Sequence, residues 1–341
     1  MPSGFLNQLR ASTLLASVLL AAASATAAAQ APEVGGTLVV VNKGASTASI
    51  VDVSTGEIVK TLPTGEGPHE VALSADGSVA VVTDYGGQAG GNSLTVIDVP
   101  GLEVVRTIDL GEHRRPHGID FMPDENWVAV TTEASRHVLL VNVGTGEIGA
   151  ELPTEGDVSH MLAVPGSADL IYTSDIRDAT VTEIEVASGA RVRKFKVPVT
   201  PEAIGVTPDG SEVWVGSNDL GVVSAIDTES GDVVEVLEGF GWPYRVVFSE
   251  DGQTALLPDL RGNELRVIDV STRTERARLQ FPGAGPQGIV FSEDGHYAFQ
   301  SLSLEDRVAV IDLEAGEVVG YLPAGSRPDG VAHTPLVVRP E

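Results

Sequence analysis

Three histidines are each followed by a carboxylate at nearly the same distance: His69 by Asp84, His117 by Glu133, and His160 by Asp175. The separations are fifteen, sixteen and fifteen residues, and only seven histidines exist in the whole chain. With no cysteine present, these groups offer nitrogen and oxygen donors only. That donor set suits Zn, Mn or Fe, and carboxylates alone would suit Ca or Mg. A metal with an open position would generate hydroxide or polarise a carbonyl. Without a metal, a histidine held by a carboxylate is a general base. The plainer alternative is that these side chains hydrogen-bond around a wet cavity.

A separation of about fifteen residues is that of an antiparallel hairpin returning to its origin, and the rest of the chain supplies such hairpins repeatedly. A Val/Ile-rich strand ends at Asp52, Asp98, Asn142, Glu185, Asp227, Asp269 and Asp312, in steps of 42 to 46 residues. Each unit reads as four strands, a to d. Asp76-Gly77, Asp209-Gly210, Asp251-Gly252 and Asp294-Gly295 mark the a–b turn, a strong hairpin signal. A proline precedes strand a in most units, where its missing N–H does little harm. Four strands per unit at this period predict an all-β, seven-bladed β-propeller. The first unit lacks strand a and the chain closes with a lone one at Asp329–His333, so the C-terminal strand is expected to complete the first blade.

This architecture places the start of strand a and the end of strand b side by side at one mouth of the central channel. The positions after the proline, or in its register, are His69, His117, His160, Glu202, Tyr244, Gln287 and Asp329. Those at the end of strand b are Asn42, Asp84, Glu133, Asp175, Asn218, Asp259 and Ser301. Two concentric polar rings are expected, with His69, His117, His160, Asp84, Glu133 and Asp175 as candidate ligands of a divalent metal. Lys43, Arg177, Arg245 and Arg261 fall near the same mouth. Basic groups there, on an acidic protein, suggest a small anionic ligand; the alternative is that they pair with the ring carboxylates. Asn42, Lys43, Tyr244, Arg261, Asp259 and Gln287 are the candidate ligand-binding set.

The first 29 residues, with Arg10, an apolar run from Leu14 to Ala23 and Ala27-Ala28-Ala29, read as a secretory signal. Residues 30–36 read as a linker, 37–338 as one propeller domain and 339–341 as a tail. A periplasmic or extracellular protein without disulfides is expected, with no membrane span once the signal is removed. The formal net charge of −27 argues against nucleic acid as a partner. So does the scarcity of aromatic residues that would make a stacking platform. No phosphate loop or dinucleotide fingerprint is present.

The repeat resembles the YVTN-type repeat of YncE-like secreted propellers, in Leu38–Lys43, Leu94–Asp98 and Leu170–Asp175. The resemblance implies the propeller fold and leaves function open, with single-stranded DNA binding among its implications. Pro116-His117-Gly118 with Thr132-Glu133, and Pro68-His69 with Asp84-Tyr85-Gly86, are also similar to lactonase-type seven-bladed propellers. That second resemblance implies His117, Glu133 and an arginine such as Arg177 or Arg245 as residues of a lactone-opening site. The expected function is a binding or interaction protein whose channel mouth holds a small ligand or protein partner. A metal-assisted hydrolase or lyase is the alternative.

Overall fold

A computed structural model describes residues 34–339. The proposed signal segment lies outside the described residues. The strands form seven four-stranded antiparallel sheets and, among the described residues, no helix. Blade 2 is typical: strand a is Pro68–Leu73, b is Val79–Asp84, c is Ser93–Asp98 and d is Glu103–Asp109. Blades 3 to 7 follow at 116–153, 159–196, 201–237, 243–280 and 286–323. Blade 1 is assembled from both ends of the described chain. Strand Pro328–Thr334 pairs with Thr37–Asn42, Val40 facing Val331 and Asn42 facing Pro328. The expected closure is therefore present, and among the described residues no inner strand is left unpaired.

Burial follows strand position. The b strands are buried along nearly their whole length, whereas the d strands are largely exposed. The apolar core lies between neighbouring blades rather than within one. Val81, Val96 and Ile108 of blade 2 pack with Val128, Val130 and Leu139 of blade 3. Val40 and Val51 of blade 1 pack with Phe299, Val308 and Val310 of blade 7, which seals the ring. A blade buries apolar side chains on both faces, which accounts for strands that are uniformly apolar instead of alternating.

Most of the recurring acids have a local task. Asp52 Oδ1 accepts from the backbone N–H of Ser54 and Thr55, at 2.9 and 3.2 Å. Asp227, Asp269 and Asp312 cap their c–d turns in the same way, and Asp76, Asp209, Asp251 and Asp294 cap the a–b turns. These are side-chain turn mimics.

One irregularity recurs at the start of strand a and shapes the channel. Pro68 faces Asp84, yet Val71 faces Val82, so strand a holds one extra residue. The same bulge follows Pro116, Ser159, Pro201 and Pro286. A bulge re-aims the two residues it contains. In blade 2 those are His69 and Glu70, and in blade 4 they are His160 and Met161.

Candidate metal and ligand site at the channel mouth

The ring of residues after the proline is present as expected. His69, His117, Glu202, Tyr244, Gln287 and Asp329 are all buried, and His160 is nearly so. The imidazoles of His117 and His160 stack with centroids 3.9 Å apart, and His69 meets His117 edge-on at 5.0 Å. Three blades thus bring their histidines into one continuous contact.

The carboxylates are distributed differently from expectation. Asp84 and Asp175 do not pair with the histidines of their hairpins. Asp84 accepts from Ser93 Oγ at 2.7 Å, Thr95 Oγ1 and the Gly65 N–H at 2.9 Å. Asp175 accepts from Ser159 Oγ and Thr182 Oγ1, at 2.6 and 2.5 Å. Asp259 binds the N–H groups of Gly241, Trp242 and Gly262. Asn42 holds Thr47, Ser49 and the Gly325 N–H. All four lie directly opposite the first residue of strand a; from there Asn42, Asp84 and Asp259 lash connecting loops to the blade, and Asp175 ties strands a and c together.

Glu133 belongs to a different register. Thr132, not Glu133, faces Pro116, so Glu133 stands one residue further on and side-chain alternation carries it toward the channel. Its Oε1 accepts from His160 Nδ1 of the next blade at 2.5 Å, and its Oε2 accepts from Tyr85 Oη of the preceding blade at 2.7 Å. His117, Glu133 and His160 place potential ligand atoms within 4.8 Å of one another. Lys43, Tyr85 and Asn218 occupy the corresponding position in other blades. Arg115 lies over the Tyr85 ring at 5.0 Å and braces it.

Electrostatics separate the three imidazoles. Burial pushes His69 down to about 4, despite Asp329 nearby. Its Nδ1 lies 2.8 Å from the Gly67 carbonyl, which only accepts, so Nδ1 carries the proton and Nε2 is left with a lone pair. Burial also holds His117 well below 6.5, helped by the neighbouring His160 charge. For His160, burial works against charge, but the hydrogen bonds to Glu133 and Glu202 outweigh it and raise the value to about 9. His160 is therefore an imidazolium clamped between two carboxylates.

The other side of the mouth is a directed hydrogen-bond chain. Gln287 Nε2 donates to Tyr244 Oη at 3.0 Å, and Tyr244 Oη donates to Asp329 Oδ1 at 3.1 Å. Asp329 Oδ2 also accepts from Lys43 Nζ at 3.3 Å. Burial alone would raise the Asp329 carboxyl, but the Lys43 and Arg245 charges hold it low. Asn218 Nδ2 donates to Glu202 Oε2. These directions leave Gln287 Oε1 and Asn218 Oδ1 as buried acceptors without a partner.

Of the four basic residues expected at the site, two reach the ring. Besides Lys43, Arg245 pairs with Glu70, four blades away across the channel. Glu70 carries no signal in the sequence, where strand a reads as regular; the bulge is what admits the second residue. Arg177 is exposed and lies 3.7 Å from Asp157, which it shares with Arg136. Arg261 is exposed and stacks on Trp242 at 4.2 Å. Both stay on the rim. A surface hollow among the a–b turns of blades 5 and 6, lined by Asp209, Glu250 and Arg273, includes none of the mouth residues.

A family model described as YNCE-like beta-propeller matches residues 12–126. The 6-phosphogluconolactonase of Erwinia tasmaniensis is 22% identical over 192 residues, covering 52% of this chain and 58% of that protein. The chain thus spans little more than half the length of that curated relative. Among solved structures, Kuenenia stuttgartiensis hydrazine synthase superposes with TM-score 0.72 at 19% identity, over 83% of this chain and 93% of that one. A functionally unknown protein of Desulfotomaculum acetoxidans gives 0.73 at 18% identity, over 90% of this chain and 100% of that one. Dihydro-heme d1 dehydrogenase NirN gives 0.65 at 19% identity, over 88% and 75%. At these identities the structural likenesses establish the fold alone. The resemblance read from the repeat is borne out: the chain is a seven-bladed β-propeller, similar over residues 12–126 to the YNCE-like beta-propeller model.

Proposed function

We propose that this propeller is a binding protein that holds a divalent metal ion at its channel mouth on His117, Glu133 and His160. The metal would in turn fix a small ligand. The observation that carries the reading is the convergence of these three donors, from two neighbouring blades, within 4.8 Å. Two imidazoles and one carboxylate form a set that suits Zn, Mn or Fe and leaves coordination positions open. Tyr85 and Glu202 would serve as the outer partners that orient Glu133 and His160. The facing wall favours a ligand with hydroxyl donors, which would meet the open acceptors Gln287 Oε1 and Asn218 Oδ1, and an anionic end directed to the metal. In this reading the protein works in the periplasm or outside the cell, once residues 1–29 are removed.

Metal binding would displace the His160 proton, so affinity should rise with pH. Calorimetric titration of the chelator-stripped protein with Zn²⁺ and Mn²⁺ tests the reading. Sub-millimolar binding is expected, weakened at least ~100-fold in a His117→Ala/His160→Ala variant, as loss of two ligands requires. No binding, or binding indifferent to the double substitution, overturns it.

A metal-assisted hydrolase is the second reading, favoured by the unprotonated His69 Nε2 beside this set and by the activity named for the Erwinia relative. A screen of the metal-loaded protein against sugar lactones tests it, and failure to accelerate ring opening above free metal rejects it.

A further inference from the structure

The second bulge position, immediately after each ring residue, holds Glu70, Gly118, Met161, Ala203, Arg245, Gly288 and Gly330 in successive blades. Four of the seven are Gly or Ala, and space explains why. A Cβ on Gly288 would stand 2.3 Å from the Asp329 carbonyl oxygen, and one on Gly330 would stand 2.7 Å from that of His69. A Cβ on Gly118 would meet the Met161 backbone at 2.8 Å. Neighbouring inner strands approach too closely here for most side chains. Two of the three exceptions, Glu70 and Arg245, reach across the channel to each other. The third is Met161, at the metal set itself.

Met161 is buried, and its Sδ lies 3.2 Å from Nδ1 of His117. Two donors bound to one ion at roughly 2.0 Å for nitrogen and roughly 2.3 Å for sulfur subtend about that separation. The chain has three methionines and no cysteine, and among the described residues this thioether supplies the only sulfur at the mouth, Met122 lying at an a–b turn. A thioether adds little to a site for Zn, Mn or Fe(II), whereas soft sulfur beside imidazole favours Cu(I). Among the divalent ions, Cu²⁺ also stands highest in the order of affinity for nitrogen and oxygen donors.

From this geometry we infer that the mouth is a copper site, with Met161 as its sulfur ligand beside His117, His160 and Glu133. The inference rests on the metal-binding reading above and refines it, naming copper rather than Zn, Mn or Fe as the ion the site prefers. The bulge is the device that makes it possible: it aims His160 at the channel while Met161, held in the apolar cluster with Tyr172 and Ile204, reaches His117 with its Sδ.

The test compares the purified wild type with Met161→Leu, a volume-conserving change. Cu(I) affinity is measured by competition with bicinchoninate under ascorbate, and Zn²⁺ affinity by calorimetry. The expected result is Cu(I) affinity at least ~100-fold above that for Zn²⁺ in the wild type. In Met161→Leu, Cu(I) affinity should fall ~10-fold or more while Zn²⁺ affinity changes less than ~2-fold, the asymmetry expected of a soft ligand. X-ray absorption of the copper-loaded wild type should show a sulfur neighbour that the variant lacks. A copper shell of nitrogen and oxygen only, or Cu(I) affinity indifferent to Met161→Leu, overturns the copper inference. In that event Zn²⁺ binding dependent on His117 and His160 would leave the metal reading standing. Binding of neither Cu(I) nor any divalent metal overturns both.

Discussion

His160 ties the stability of the ring to pH, and the size of the effect follows from its two carboxylate partners. Its ordinary value of 6.5 is raised to about 9 in the folded protein. Folding therefore favours the protonated form, so the contribution is whole below pH 6.5 and is lost as pH rises through about 9. A shift of that size corresponds to about 3 kcal/mol. The perturbation is His160→Gln, which retains hydrogen-bonding capacity without a titrating proton. Urea unfolding of both proteins, in chelator to exclude metal, gives stability from pH 6 to pH 9.5. The wild-type advantage over the variant should shrink by about 3 kcal/mol across this interval, most steeply between pH 7 and 9. A difference between the two proteins that stays level across the interval would refute the clamped imidazolium.

Other consequences are open to direct measurement. His69 is pushed down to about 4 by burial, so its neutral form is the one folding favours. Its contribution is whole above pH 6.5 and is lost as pH falls toward 4; acid unfolding of His69→Gln should accordingly show a shallower pH dependence than the wild type. Asp259→Ala removes the acceptor of three backbone N–H groups and should cost about 3 kcal/mol or more in urea unfolding. Because Asp259 serves a loop, that variant should keep wild-type metal affinity per folded molecule. Tyr85→Phe deletes the hydrogen bond to Glu133 and should weaken metal binding about 10-fold. Its effect on thermal unfolding of the chelator-stripped protein should be small by comparison.

Much of this molecule was readable from residue types and spacing. The period of the blades, the acid-capped turns and the closure by the C-terminal strand all follow from local pattern, because each blade forms from contiguous chain. So does the inner ring, since the proline marks its register in six blades. What escaped was anything that depends on one residue of register or on contact between blades. Asp84 and Glu133 look equivalent in the sequence, yet counting from the proline shows that Asp84 stands sixteen residues on and Glu133 seventeen. That one step separates a loop fastener from a channel carboxylate. The strand a bulge hid Glu70 and Met161, and no local signal announces that Glu133 would serve the histidine of the next blade. Arg177 and Arg261 were assigned to the mouth by loop membership alone. Their neighbours Asp157 and Trp242 keep them on the rim.

Anomalous diffraction from crystals of the metal-loaded protein tests the central claim most directly. One strong peak is expected at the channel mouth, within bonding distance of His117, Glu133 and His160 and absent from crystals of a His117→Ala/His160→Ala variant. No peak there, or a peak only among the acid-capped turns of the opposite face, would contradict it.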